Sequence, residues 1–286
     1  MTPPASSASL TGHALPRLQD FTFSFNCIGE VSLEERFAAT RDAGFVQVGL
    51  SCRWMKLWLE EHSLEELDAL LDEYGLVVGE LEAIRVMQVD VDPLEETAAL
   101  LAERYRPVRL QAIAPYDGTI AEAAVRAARV ADRFAPWGVE VVLEPLPFTN
   151  MRTPADAAEI CRLAGRPNLS ICMDIWHLYR NGLPLSHLDD CWDCITSLQL
   201  NDGTIVSEYP DDLREDCLRN RRIPGQGEFD LVGVLAAGLR HRSDLTYSIE
   251  VIETSLREQD AALTARQIAD GITELLAQLE RQETAP

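Results

Sequence analysis

Four oxygen-bearing side chains, each set in a short apolar run of the second half of the chain, are the residues best placed to do chemistry. Glu144 closes Val141-Val142-Leu143-Glu144-Pro145, Asp174 closes Ile171-Cys172-Met173-Asp174, Gln199 lies in Leu198-Gln199-Leu200-Asn201-Asp202, and Glu250 in Ser248-Ile249-Glu250-Val251. If these runs are strands whose ends converge, three carboxylates and an amide meet. Carboxylates crowded in a half-buried site raise one another's pKa and desolvation adds to the cost, so a cation is the simplest remedy. Oxygen donors suit magnesium, manganese or cobalt better than a thiolate-bound zinc. Taken singly, each residue has a plainer reading: a strand-end glutamate is usually a solvated rim residue or half of an ion pair, and Gln199 could simply hydrogen-bond its neighbours. The four together are what point to a metal.

A repeated unit supplies the elements that would position them. Gly44, Gly75 and Gly138 each follow a helical pattern and precede an apolar run, a glycine suiting the left-handed position after a helix. The first two are 31 residues apart and the next interval is 63, close to two such units, which implies a βα repeat near thirty residues. Helix starts agree: Ser32 with Glu35 and Ser63 with Glu66 read as capping boxes, and Thr153 precedes Pro154 as an N-cap before N1. Strands are expected near 21–27, 45–50, 76–83, 107–113, 139–144, 169–174, 195–201 and 245–252, with helical patterns between them and a last helix near 260–280. Strand then helix, eight times, predicts an α/β fold, a single (β/α)8 TIM barrel, whose active site lies at the C-terminal ends of the strands. The rival, a doubly wound sheet, wants a glycine-rich loop after its first strand, and Asn26-Cys27-Ile28-Gly29 is too sparse. Residues 1–18, rich in Pro, Ala and Ser, read as a flexible N-terminal arm, and 19–286 as the catalytic barrel.

Composition narrows the partners. At 286 residues, 47% hydrophobic and 25% charged, the chain can bury a sizeable core. Its formal charge of -22 repels phosphate backbones and anionic headgroups, which argues against nucleic acid and membranes as partners. Lys56 is the sole lysine and follows the second strand, which disfavours Schiff-base chemistry. Walker, dinucleotide-binding and H-E-x-x-H motifs are missing. Seven cysteines, an odd number, and no secretory leader predict reduced thiols and a cytoplasmic location, with Cys191 and Cys194 read as structural. Glu140 alternates onto the face of Glu144, which aims it into the lower barrel toward an unseen partner.

These residues resemble the xylose isomerase-like TIM barrels, the sugar phosphate isomerase/epimerase superfamily that also contains endonuclease IV, over nearly the whole barrel. The resemblance implies metal ligands at the ends of strands five to eight, places taken here by Glu144, Asp174, Gln199 and Glu250, holding one divalent ion (manganese, magnesium or cobalt, with zinc the fourth option). Asp174-Ile175-Trp176-His177 is similar to the family's D-x-x-H, whose histidine contacts the substrate oxygens. Asn220-Arg221-Arg222-Ile223-Pro224-Gly225-Gln226-Gly227 looks like the N-R-x-x-P-G-x-G loop of the ketose 3-epimerases, whose first arginine supports the last metal-binding glutamate. Two departures bear on the reaction. Those epimerases carry histidine where Gln199 stands, while a Gln ligand resembles the dehydroshikimate dehydratases, and the epimerases' substrate-binding glutamate is replaced here by Asn150. Endonuclease IV needs several histidines around three zincs, and this chain has five histidines in all.

The expected function is a metal-dependent sugar isomerase or epimerase acting on a polyhydroxy ketone. Glu144 or Glu250 removes the proton beside the ketone to give an enediolate, the opposite glutamate returns one, and His177 handles a substrate oxygen. Expulsion of a β-hydroxyl from the same intermediate would instead make the protein a dehydratase, of dehydroshikimate or inosose type. A non-catalytic sugar-binding barrel is the third reading. Arg221 is expected to orient Glu250 or bind a substrate carboxylate, and Arg180 to reach the same cavity or form a surface ion pair. Trp54 and Trp176 could wall the sugar or belong to the core. The acidic segment 203–219 is read as a lid, an oligomer contact or a solvated loop, and relatives of this kind imply a homo-oligomer, dimer or tetramer.

Overall fold

A computed structural model describes residues 14–284, so most of the arm expected over 1–18 lies outside the described residues. Eight parallel strands close into one barrel in sequence order: β1 Phe21–Phe23, β2 Gln47–Ser51, β3 Val77–Ile84, β4 Arg109–Ile113, β5 Glu140–Glu144, β6 Leu169–Asp174, β7 Ile195–Leu200 and β8 Thr246–Ile249, with β8 pairing back onto β1. This is the (β/α)8 barrel that the thirty-residue repeat predicts.

Local signals account for the connections. Gly44, Gly75 and Gly138 adopt φ values of 96°, 62° and 72°, the left-handed region where a side chain would clash. Ser63–Glu66 forms a reciprocal capping box before the helix Leu64–Tyr74, and Thr153–Asp156 does so before Pro154–Ala164. Ser32 caps the helix Leu33–Asp42 by accepting from the Glu35 N–H, but Glu35 makes no return bond. The outer helix Ile120–Phe134 turns five alanines, Val130 and Phe134 inward, and small residues let it lie close to the sheet. The long helix Ala261–Thr284 packs beside Leu33–Asp42 and closes the ring.

Two strands fall furthest short of their expected length. β1 stops at Phe23 because Ser24 turns the chain into a tight turn at Phe25–Cys27, its hydroxyl accepting from the Asn26 N–H. β8 stops at Ile249, although the Glu250 N–H still donates to Leu200 O at 3.0 Å and keeps Glu250 in line with the barrel.

The barrel interior is unusually polar. Arg109 on β4 donates to Glu80 on β3 at 2.8 Å and across the barrel to Tyr247 O on β8 at 3.1 Å, with both charged groups fully buried. One level higher Glu82 points inward, and the room for it comes from β2, since a Cβ on Gly49 would lie 2.0 Å from Glu82 Oε1. Glu140 finds its partner at the bottom of the barrel, where the Ser170 hydroxyl donates to it at 2.7 Å. Cys191 and Cys194 are free thiols flanking a turn before β7.

Candidate metal centre

The C-terminal ends of β5 to β8 carry Glu144, Asp174, Gln199 and Glu250, all at most 6% exposed. The β6–β7 register sets Asp174 opposite Gln199, and the β7–β8 register sets Gln199 opposite Ser248, two residues before Glu250. Asp174 does two jobs. Its Oδ1 accepts from the Trp176 N–H at 2.7 Å, capping the short helix Ile175–Arg180, and from Asn201 Nδ2 at 3.0 Å. Its Oδ2 accepts from Arg221 Nη1 at 2.8 Å.

That cap also aims His177. One turn into the helix, the ring Nε2 meets Glu144 Oε1 at 3.0 Å, with Trp176 edge-on and Phe148 on another side. Donor atoms of Glu144, Asp174 and His177 all lie within 4.8 Å of one another, a spacing that a single cation can bridge. His177 thus stands among the groups able to ligate, a role beyond the substrate contact expected of it.

Arg221 ties Glu250 to this group. The same Nη1 that binds Asp174 donates to Glu250 Oε2 at 2.8 Å and to Glu250 O at 3.0 Å, while Nε and Nη2 are spent on Cys217 O and Sγ. With all its nitrogens engaged, Arg221 orients Glu250. Arg180 is drawn elsewhere: its Nε donates to buried Asp216 at 2.6 Å and its Nη1 to Thr204 O at 2.5 Å. Asp216 also accepts from Ser207 and Asn220, so the acidic segment docks through this buried anchor and forms the helix Leu213–Arg219. Trp176 is fully buried, and Trp54 is half-buried beside Phe25.

Charge and burial set the protonation of the group. Burial pushes Glu144 above the usual carboxylate range, the neighbouring charges of Glu250 and Asp174 add to this, and the His177 ring counters it in part. Burial acts the same way on Asp174, but the Arg221 charge, with His177 and Asn201, outweighs it and leaves that carboxyl below its ordinary value. Gln199 is the clearest sign that the group suits an ion: it is fully buried, and neither Oε1 nor Nε2 has a hydrogen-bond partner. An amide left bare in a protein interior costs roughly 1–3 kcal/mol for each unsatisfied group. An ion bound by the amide oxygen would remove that atom's share of the cost, so three carboxylates, an amide oxygen and an imidazole fit a divalent ion of the magnesium, manganese or zinc type.

Three further residues complete the site, two from the β1–β3 side of the barrel and one from the end of β7, and the strand-end reading missed them. Asn26, just after β1, donates through Nδ2 to Glu250 Oε1 at 2.9 Å and to Glu82 Oε2 at 3.0 Å. Glu82 also accepts from Ser24 Oγ and the Phe25 N–H, and burial with the nearby charges of Glu80 and Glu250 pushes its carboxyl well up. Asn201 holds Asp174 from β7. The signals were present in part: Asn201 shares a strand face with Gln199, and Glu80-Leu81-Glu82 alternates polar and apolar in an otherwise apolar run.

Residues 94–278 match the family described as xylose isomerase-like TIM barrel, and the chain belongs to it. No curated protein matches the sequence at a significant level. Among solved structures, the IOLI protein with a bound zinc atom superposes with a TM-score of 0.76 at 16% identity, over 91% of this chain and 98% of the other. The 3-keto-D-glucoside 4-epimerase YcjR from E. coli gives 0.66 at 16%, over 91% and 99%. The "probable 3-DHS dehydratase AsbF" of Bacillus anthracis gives 0.68 at 17%, over 86% and 97%. At these identities the likeness is one of fold. Among the described residues no helix is long and apolar enough to cross a membrane.

Proposed function

We propose that this barrel is a divalent-metal-dependent isomerase or epimerase of a polyhydroxy ketone, with Glu144, Asp174, Gln199 and Glu250 holding the ion and His177 at its edge. The observation that carries the reading is the fully buried, unpartnered amide of Gln199, set opposite Asp174 in a ring of carboxylates. Once bound, a divalent ion supplies a Lewis acid for the ketone and its neighbouring hydroxyl, which stabilises the negative charge developing beside the carbonyl. The protein's own residues then move the proton. Glu144, whose carboxyl burial raises above its ordinary value, takes or gives a proton on one face, and Glu250, fixed by Arg221 and Asn26, does so on the other. His177, hydrogen-bonded to Glu144, handles the proton of a substrate oxygen. Gln199, in place of a histidine, supports a second reading in which the enediolate expels a β-hydroxyl and the protein is a dehydratase. A homo-oligomer belongs to this reading and is checked by light scattering.

The decisive experiment is metal content by mass spectrometry of wild type and Glu250→Gln, stripped and reloaded with manganese, magnesium, cobalt or zinc. About one ion per chain, lost or much weakened in the variant, is expected. Loaded protein should then exchange solvent deuterium into keto-sugars; a product absorbing in the near ultraviolet would select the dehydratase instead. No ion taken up under any condition would end both readings and leave a binding protein.

A further inference from the structure

Next to the carboxylate ring, between the loops after β1, β2 and β8, lies a cavity of about 400 Å³ whose wall includes Asn26, Arg36, Arg53, Trp54 and Arg257, with Glu30 as its one carboxylate. Asn26 links it to the site, because the same side-chain amide holds Glu250 and Glu82. The cavity is built rather than incidental. Arg36, 2% exposed, knits the floor by donating to Phe25 O, Ile28 O and Gly29 O, and its guanidinium lies 3.8 Å over the Phe25 ring. Gly29 admits the backbone of Arg257, since a Cβ there would meet Arg257 O at 2.1 Å. Trp54 packs against Phe25 at 5.4 Å and stacks toward Trp58, giving the cavity an apolar wall.

Its charge runs against the rest of the molecule. In a chain of net charge -22, three arginines line this space against one carboxylate, and since the terminal nitrogens of Arg36 are tied to backbone carbonyls, Arg53 and Arg257 are the two open to a ligand. Arg53 and Arg257 form no salt bridge among the described residues, and Arg36 Nε is buried without a hydrogen-bond partner. A planar guanidinium with free donors is the side chain best matched to a carboxylate or phosphate, and two of them on one cavity can grip an anion together.

We infer that this cavity is an anion subsite, through which the protein takes an acidic polyhydroxy ketone, a sugar phosphate or a sugar acid, with its charged end on Arg53 and Arg257 and its ketone end at the carboxylate ring. The assignment of the ketone end rests on the proposed function; the anion subsite itself does not need the metal. The test therefore uses chelator-stripped protein titrated calorimetrically with inorganic phosphate and with acetate at low ionic strength, in wild type and in Arg53→Gln/Arg257→Gln. Both side chains are exposed, and unchanged circular dichroism and melting temperature confirm that the variant is folded. Wild type should bind one anion per chain at least about tenfold more tightly than the variant, the loss expected from one or two charge-assisted hydrogen bonds. Tighter phosphate points to a sugar phosphate and tighter acetate to a sugar acid, and either supports the subsite. Equal binding by wild type and variant, or no binding by wild type, overturns it. Loss of metal uptake alone would instead overturn the function proposed above.

Discussion

At the scale of single residues, the site separates two carboxyls that the sequence presents alike. Glu144 and Asp174 both end apolar strands, yet one sits beside an imidazole and the other beside the Arg221 guanidinium. Burial drives Glu144 up, while Arg221 overrides the same burial at Asp174. As pH falls, the metal-free site therefore takes up a proton on Glu144 before Asp174, and an incoming cation must displace it. Calorimetry in buffers of different ionisation enthalpy should record proton release that grows toward about one per ion bound as pH falls through the raised Glu144 pKa, and below it affinity should change roughly tenfold per pH unit. Glu144→Gln should weaken binding and flatten that dependence. A slope that survives in the variant would transfer the proton to a different carboxyl, with Glu82 the first to examine.

At the scale of elements, the loop that carries Arg221 depends on one carboxylate from the strand that carries Gln199. Asp202 accepts from the N–H groups of Gly203, Gly225, Gly227 and Phe229, and pairs through its backbone with Arg222. Read from the sequence, Asp202 could simply cap the following turn; in the structure it cages the whole 220–229 segment and so places Arg221. Gly227 leaves the space, for a Cβ there would lie 2.2 Å from Asp202 Oδ1. Asp202→Ala, which strands several buried donors, should lose about 3 kcal/mol in urea unfolding, and Gly227→Ala should lose stability in the same direction. Both should also weaken metal uptake, since Arg221 would no longer fix Glu250; full metal affinity in either variant would detach the loop from the site. The contrast shows what a sequence discloses. Strand ends, left-handed glycines and N-caps depend on neighbours a few residues away, so the barrel and the meeting of the four strand-end side chains were legible. Asn26 meets Glu250 and Glu82 at separations of 224 and 56 residues, and that proximity exists only once the sheet has closed. His177 was legible as a site residue from its place after Asp174, but its contact with Glu144 depends on the adjacent strand.

At the scale of the whole molecule, pH stability is a contest between two populations of carboxyls. Glu80, Glu82 and Glu144 are buried and pushed up, so the folded state takes their protons more readily than the unfolded chain, and folding gains as pH falls from neutral toward the ordinary carboxylate range. Relief of the -22 net charge acts in the same direction. Asp174, Asp132, Asp193 and Asp244 are held down by arginine partners, so their contribution is complete above the unfolded value and disappears as pH falls through the folded one. Chelator-stripped protein should therefore melt highest between about pH 5 and 6, lower at about pH 8 as the buried carboxyls ionise against the cost of burial, and lower again below about pH 4. Saturating manganese should lift the alkaline limb most, because a cation favours the ionised forms that destabilise the metal-free barrel. Melting curves from about pH 4 to pH 8, with chelator and with manganese, check both limbs. A stripped protein whose melting temperature climbs steadily to pH 8 would mean that the interior carboxyls are already compensated by Arg109 and Arg221, and that the barrel needs no further cation to hold them.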